Sequence, residues 1–143
     1  MDAGDRRSQV LATIEESVCP DPAVEFVVAF GSQVTGEPTR SSDFDLAVKF
    51  AAELPSRERF EKQCFLSGTL QQEDFPFVDL SDIESLPVDV AHDAVNGEFI
   101  CGDKQTFEQF KTNIESQFGD RRDALRRRQR EVIDRIAEEG LRG

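Results

Sequence analysis

The chain contains no tryptophan and no tyrosine; all 12 of its aromatic residues are phenylalanine. No phenolic hydroxyl is therefore among the groups it could modify on itself. Long apolar runs are missing as well. None approaches the roughly 20 residues a helix needs to span a bilayer. The opening residues, Met1-Asp2-Ala3-Gly4-Asp5-Arg6-Arg7, bring acids and no apolar signal core. No membrane association is expected, and a cytoplasmic location is. Cysteine is scarce: Cys19, Cys64 and Cys101 are odd in number, lack metal-ligand spacing and lie beside apolar residues. Buried free thiols in a reducing compartment are expected.

Positive charge is also in short supply. The net charge is −12, and only 4 of the 17 basic residues are lysine. Residues 1–120 hold 9 basic and 24 acidic side chains, net −15, whereas residues 121–143 hold 8 basic and 5 acidic, net +3. An acidic bulk surface argues against strong direct binding to nucleic acid. Acid-rich, lysine-poor usage suits a salt-rich cytoplasm.

The 143 residues are enough for one domain with a real core, but too few for a catalytic domain plus a separate substrate domain. Val10, Leu11, Ile14 and Val18 recur at helical spacing from 5 to 18, and Cys19-Pro20-Asp21-Pro22 stops that helix. A strand at about 23–30 follows, then a one-turn helix near 32–35 and a polar loop over 37–42. A second strand at about 43–50 puts Phe44, Leu46, Val48 and Phe50 on one face and Asp43, Asp45, Ala47 and Lys49 on the other. Ser56 can cap a helix from 57 to about 70, with Phe60, Cys64 and Phe65 inward. A third strand spans 76–82, with Asp79 sharing a face with Phe77 and Ser81. Pro87 suits the first turn of a helix at 87–95 that Asn96-Gly97 ends. A brief edge strand at 98–101 leads to a long helical tail at about 103–140, striped by Phe107, Phe110, Ile114 and Phe118 and continued by Leu125, Val132 and Ile136. The fold class is α/β, a small mixed sheet packed with helices.

One stretch carries chemistry. Gly31-Ser32 closes the first strand, ten residues follow, and Asp43-Phe44-Asp45 opens the second. A strand ending in Gly-Ser at a short helix offers N–H groups and a hydroxyl to a phosphate. Two carboxylates at i and i+2 on a strand share a face. That suits magnesium, which takes one or two carboxylates and shares its other positions with substrate phosphates. The residues describe a site for a nucleoside triphosphate and a metal. For Asp43 and Asp45 taken singly, a turn cap and a solvated strand residue are equally good readings.

These pieces resemble the nucleotidyltransferase superfamily, with its Gly-Ser, a spacer of this length and Asp-x-Asp. The wording Ser42-Asp43-Phe44-Asp45-Leu46-Ala47-Val48 is most similar to the minimal nucleotidyltransferases, the MNT branch. The resemblance covers about residues 22–102 and implies a nucleotidyltransferase-like core with 103–140 as a helical extension. It implies a third carboxylate on a later strand, for which Asp79 in Phe77-Val78-Asp79-Leu80-Ser81 is the candidate; Asp74 and Asp82 lie near, and Asp82 reads as structural. The implied metal ligands and catalytic residues are Asp43, Asp45 and Asp79, with Gly31 and Ser32 binding the nucleotide, Mg2+ as cofactor and ATP as substrate. The resemblance further implies an antitoxin paired with a HEPN-type RNase toxin, transferring AMP to a toxin tyrosine. Alternatives are an antitoxin that acts by binding alone and a small-molecule nucleotidyltransferase working as an oligomer. Val34 and Thr35 depart from the Ala and basic residue common at those positions, which bears on phosphate affinity and nucleotide choice and not on the metal ligands. His92 reads as a surface residue. Arg40 reads as solvated, and the arginines from 121 to 130 as a solvated helix face paired with Asp123, Glu131 and Asp134, with a protein contact left open.

Overall fold

The computed structural model describes residues 3–31, 44–71 and 77–142. Helix α1 (Ala3–Ser17) leads through a tight turn into β1 (Val24–Phe30), and β2 (Phe44–Phe50) returns antiparallel to it. Helix α2 (Ser56–Leu70) crosses to β3 (Val78–Asp82), which runs parallel to β2. A 3-10 turn (Ile83–Ser85) and α3 (Val88–Val95) precede β4 (Glu98–Gly102), antiparallel to β1. The sheet order is β3-β2-β1-β4, so β4 does lie at an edge. Helix α4 (Lys104–Arg142) completes the mixed α/β architecture.

Strand alternation splits the interior into two cores. Val27, Ala29, Phe44, Leu46, Val48 and Phe50 point toward Val10, Ile14 and Val18 and toward Leu66 and Leu70 of α2. Phe26, Val28 and Ala47 point the other way, toward Ala91, Ala94 and Val95 of α3 and Phe107 and Ile114 of α4. Phe26 and Phe107 meet edge to face, centroids 5.2 Å apart. Helix α4 runs unbroken for 39 residues. Its first half packs on the sheet, while Leu125, Val132, Ile133 and Ile136 in its second half are exposed.

Three expectations are corrected. Helix α2 does not turn Phe60, Cys64 and Phe65 inward: the two phenylalanines are 65% and 68% exposed, and Cys64 is exposed. Its inner face is Leu66 and Leu70 together with Arg59 and Gln63. Gln63 is there because β3 is an edge strand whose outward backbone groups need partners, whereas Arg59 faces the carboxylates of Asp82 at 3.8 Å and Glu84 at 3.6 Å. Gln63 donates to the Leu80 carbonyl at 3.0 Å, and Gln71 donates to the Val78 carbonyl at 2.7 Å and accepts from its N–H at 3.3 Å. Ser56 is not a cap: Pro55 occupies that position, and no side chain caps the helix. Finally, Cys19 and Cys101 are not free thiols but form a disulfide closing 82 residues. The turn after α1 feeds β1, and Cys101 is the register partner of Val27, so the two meet only once the sheet is built.

Lys49 anchors a small ionic network on the α3 and α4 face of β2. Its ammonium lies 3.1 Å from Glu25 and 3.2 Å from Glu84, and donates to the Phe50 carbonyl at 3.1 Å. Burial alone would lower its pKa, but the carboxylates of Glu25 and Glu84 outweigh it and hold the pKa above the ordinary lysine value. A raised lysine pKa adds stability that is fully present below the unfolded-state value and lost as pH climbs through the folded one. Replacing Lys49 with Met should cost about 1–3 kcal/mol in urea unfolding at neutral pH. The gap to the wild type should stay constant through neutrality and narrow only above about pH 10.

Candidate functional site

Because β1 and β2 are antiparallel and β2 and β3 parallel, the end of β1 and the starts of β2 and β3 open at one edge of the sheet. Asp45 is the register partner of both Phe30 and Asp79. Paired strands lie about 4.8 Å apart, and partners in register project to the same side. Phe44, Leu46, Val78 and Leu80 fill the core beneath α1 and α2. Asp45 and Asp79 therefore stand side by side on the opposite face, the first half-buried and the second exposed.

Gly31 completes this corner. It has φ +84°, the left-handed region that glycine occupies without strain. A Cβ built on it would sit 2.5 Å from Asp45 Oδ2 and 3.4 Å from Cγ. The Asp45 carboxylate thus packs directly against the bare Cα, at the point where β1 ends.

Ser32 and Asp43 lie outside the described residues, as do the helix expected near 32–35, the loop over 37–42, Val34, Thr35, Arg40 and Asp74. Among the described residues no three His, Cys, Asp or Glu side chains converge on a metal position. Asp45 and Asp79 form a pair of hard oxygen donors at one strand edge, a donor set that fits magnesium and leaves room for phosphate oxygens. Asp82 falls on the other face, as its position beyond Ser81 predicts. It is 5% exposed, accepts from the Glu84 N–H at 3.0 Å to cap the 3-10 turn, and has Arg59 Nη1 at 3.8 Å.

Further residues border this edge. Phe30, Gly31, His92, Asp93, Asn96 and Gly97 line a cavity of about 490 Å3 on the Asp45 face. His92 is half-buried rather than a plain surface residue, stacked on Phe118 at 3.8 Å and 8°. Gly97 is required where it stands, since a Cβ there would collide with the Ala29 carbonyl. In the sequence Asn96-Gly97 marks only a helix stop; the contact of the residue after α3 with β1 arises from the fold.

The arginine cluster sits on the exposed second half of α4. Arg121 reaches Asp89 of α3 at 3.9 Å. Among the described residues, the expected pairs with Asp123, Glu131 and Asp134 do not form. Fully solvated long side chains gain little from such pairing.

The family described as polymerase beta, nucleotidyltransferase matches residues 12–106, more than half of the chain. The chain belongs to that family. No curated protein matches it. Solved structures share its fold along nearly the whole length. One is a chain of a mutant MntA-HpeT toxin-antitoxin, 24% identical, covering 90% of this chain and 96% of that one, with a TM-score of 0.59. A second comes from a toxin-antitoxin with AMP-PNP, 23% identical over 94% and 98% of the two chains, TM-score 0.58. A third comes from a tri-AMPylated Shewanella oneidensis HEPN toxin in complex with its MNT antitoxin, 22% identical over 93% and 97%, TM-score 0.54. No helix among the described residues is long and apolar enough to cross a membrane.

Two glycine substitutions test the corner geometry. Gly31→Ala forces a left-handed residue and a contact with Asp45, and should cost about 1–3 kcal/mol in thermal or urea unfolding. Gly68→Ala, in α2 with nothing within 4 Å of the new methyl, should instead stabilise by about 0.5–1 kcal/mol. A stable Gly31→Ala protein would show that this turn does not hold Asp45 as described.

Proposed function

We propose that this nucleotidyltransferase is metal-dependent and moves AMP from ATP to a hydroxyl of a partner HEPN-type RNase toxin, acting in the cytoplasm as that toxin's antitoxin. The supporting observation is the register pairing of Asp45 with Asp79 beside the Gly31 turn. The neighbours lend context: one of those structures contains AMP-PNP and another a tri-AMPylated HEPN toxin beside its MNT antitoxin.

In this reading Asp43, Asp45 and Asp79 hold Mg2+. When bound, the ion supplies charge neutralisation at the triphosphate and at the entering and leaving oxygens. Gly31 and Ser32 hold the outer phosphates through N–H and hydroxyl groups, which turns the α-phosphorus toward the acceptor. Asp79, the more exposed carboxylate, accepts the proton of the attacking hydroxyl. The acceptor oxygen bonds to the α-phosphorus, the bond from phosphorus to the bridging oxygen breaks, and pyrophosphate departs with that electron pair. Positioning supplies most of the rate. Because the chain has no tyrosine, a tyrosyl acceptor must come from the partner.

Incubation with ATP, magnesium and the cognate toxin should add one or more AMP masses to the toxin in intact-mass spectrometry, and a chelator should abolish the addition. Asp79→Asn should slow transfer by roughly 100-fold or more at unchanged toxin binding. If the Asp43→Asn, Asp45→Asn double mutant neutralises the toxin fully at equal expression, binding alone suffices for neutralisation and transfer is not its cause.

A further inference from the structure

We propose that the second half of α4 is a docking site for an acidic amphipathic helix of a partner protein, seated on the apolar stripe Leu125, Val132 and Ile136 between flanking arginines. The inference goes beyond the transfer reading and uses none of its residues.

The stripe continues a face that the molecule already uses. Phe107, Ile114, Phe118, Leu125, Val132 and Ile136 are spaced by sevens and fours, so they fall on one side of the helix. Phe107 and Ile114 are buried in the core that α3 shares, and Phe118 is stacked on His92. From residue 125 to residue 139, by contrast, every side chain is exposed. Leu125, Val132 and Ile136 are 48%, 50% and 63% exposed. Leu125, Gln129, Val132 and Ile133 line a shallow groove there together with Arg128. Helices in proteins draw most of their stability from packing an amphipathic face, and this face is left open.

Charge is sorted about the stripe. Arg121, Arg122, Arg126, Arg128 and Arg135 fall within about a quarter turn of it on either side. Asp123, Glu131, Asp134 and Glu138 fall on the back of the helix. Glu139, past the last apolar position, is the first acid on the apolar side. Between 121 and 136 that side therefore carries arginines and no carboxylate. Apolar side chains rimmed by one sign of charge fit a helix with an apolar face and the opposite sign beside it.

Helix α3 is an example of such an occupant within the chain. It buries Ala91, Ala94 and Val95, and its Asp89 lies 3.9 Å from Arg121. The open stretch begins where α3 leaves off, and it runs about 24 Å to Ile136, roughly four turns of a partner helix. Other occupants satisfy only half of the surface. A second copy would set arginine against arginine. Single-stranded RNA would meet the arginines but needs aromatic platforms for its bases, and this stripe is aliphatic.

The probe is a synthetic peptide of about 21 residues with Leu and Ile at heptad positions a and d and Glu at e and g; its twin carries Lys at e and g. Fluorescence anisotropy with the full chain should show the Glu peptide binding about tenfold tighter than the Lys peptide, or better. Val132→Gln with Ile136→Gln should weaken Glu-peptide binding by about tenfold. Arg128→Glu with Arg135→Glu should invert the order of the two peptides. All four positions are exposed, so thermal melting should match the wild type in both variants. The assignment is overturned if the wild type binds neither peptide or both alike. It is also overturned if single-stranded RNA of similar length binds more tightly than the Glu peptide. Sedimentation that shows self-association lost in the Val132→Gln, Ile136→Gln variant would overturn it in favour of a second copy. The two readings fail separately: peptide binding without AMP transfer removes only the transferase, and AMP transfer without peptide binding removes only the docking site.

Discussion

Strand β2 is the constraint on which the rest of the molecule turns. It is bonded on both sides, antiparallel to β1 and parallel to β3. Its alternate side chains Phe44, Leu46, Val48 and Phe50 are buried in one core. Each such burial contributes about 1.5–3 kcal/mol relative to an exposed position. A slip of one residue would pull all four out and drive Asp45 and Lys49 into apolar surroundings, where unpaired charge is costly. The same packing that holds the sheet together therefore fixes Asp45 opposite Phe30 and Asp79. Stability and the geometry of the corner are two results of one register.

The polar residues near this strand serve the same end. β3 carries Asp79 and lies at the sheet edge, where a strand with unpaired backbone groups would be free to shift or to recruit another chain. Gln63 and Gln71 occupy its outward hydrogen-bonding positions, and Arg59 approaches Asp82 at its far end. Lys49 draws Glu25 of β1 and Glu84 of the 3-10 turn onto β2. The strands that meet at the corner are thus tied by side chains as well as by their ladders.

How far the sequence reveals this varies with the kind of contact. The strands were legible because a two-residue period cannot be mistaken over seven residues, and the Gly31 turn with its later aspartates was legible as a spacing. The parity of Asp79 against Asp82 followed from the same rule. The phase of α2 was not legible, since Phe60, Cys64 and Phe65 suggest an inner stripe on composition alone. Its inner face includes Gln63 because a neighbouring strand edge needs its amide, and Arg59 because Asp82 and Glu84 lie there; both needs arise only in three dimensions. The Cys19–Cys101 bond and the Phe30–Asn96 cavity wall belong to the same class: each joins segments more than sixty residues apart that β1 and its neighbours bring together. The arginine run shows the reverse error, for a charge pattern that permits pairs along a helix does not require them in water.

The second half of α4 has an electrostatic consequence of its own. From residue 121 to the end of the helix it extends about 30 Å at 1.5 Å per residue. It carries the net positive segment of a chain whose remainder is strongly negative. Ions damp electric fields over about 8 Å at physiological strength, and over less in brine. The positive charge is concentrated at residues 121–130, with six arginines against Asp123, whereas residues 131–142 hold two basic and four acidic side chains. The molecule therefore carries a positive band between two acidic regions, and at about 15 Å along the helix that band is longer than the screening length.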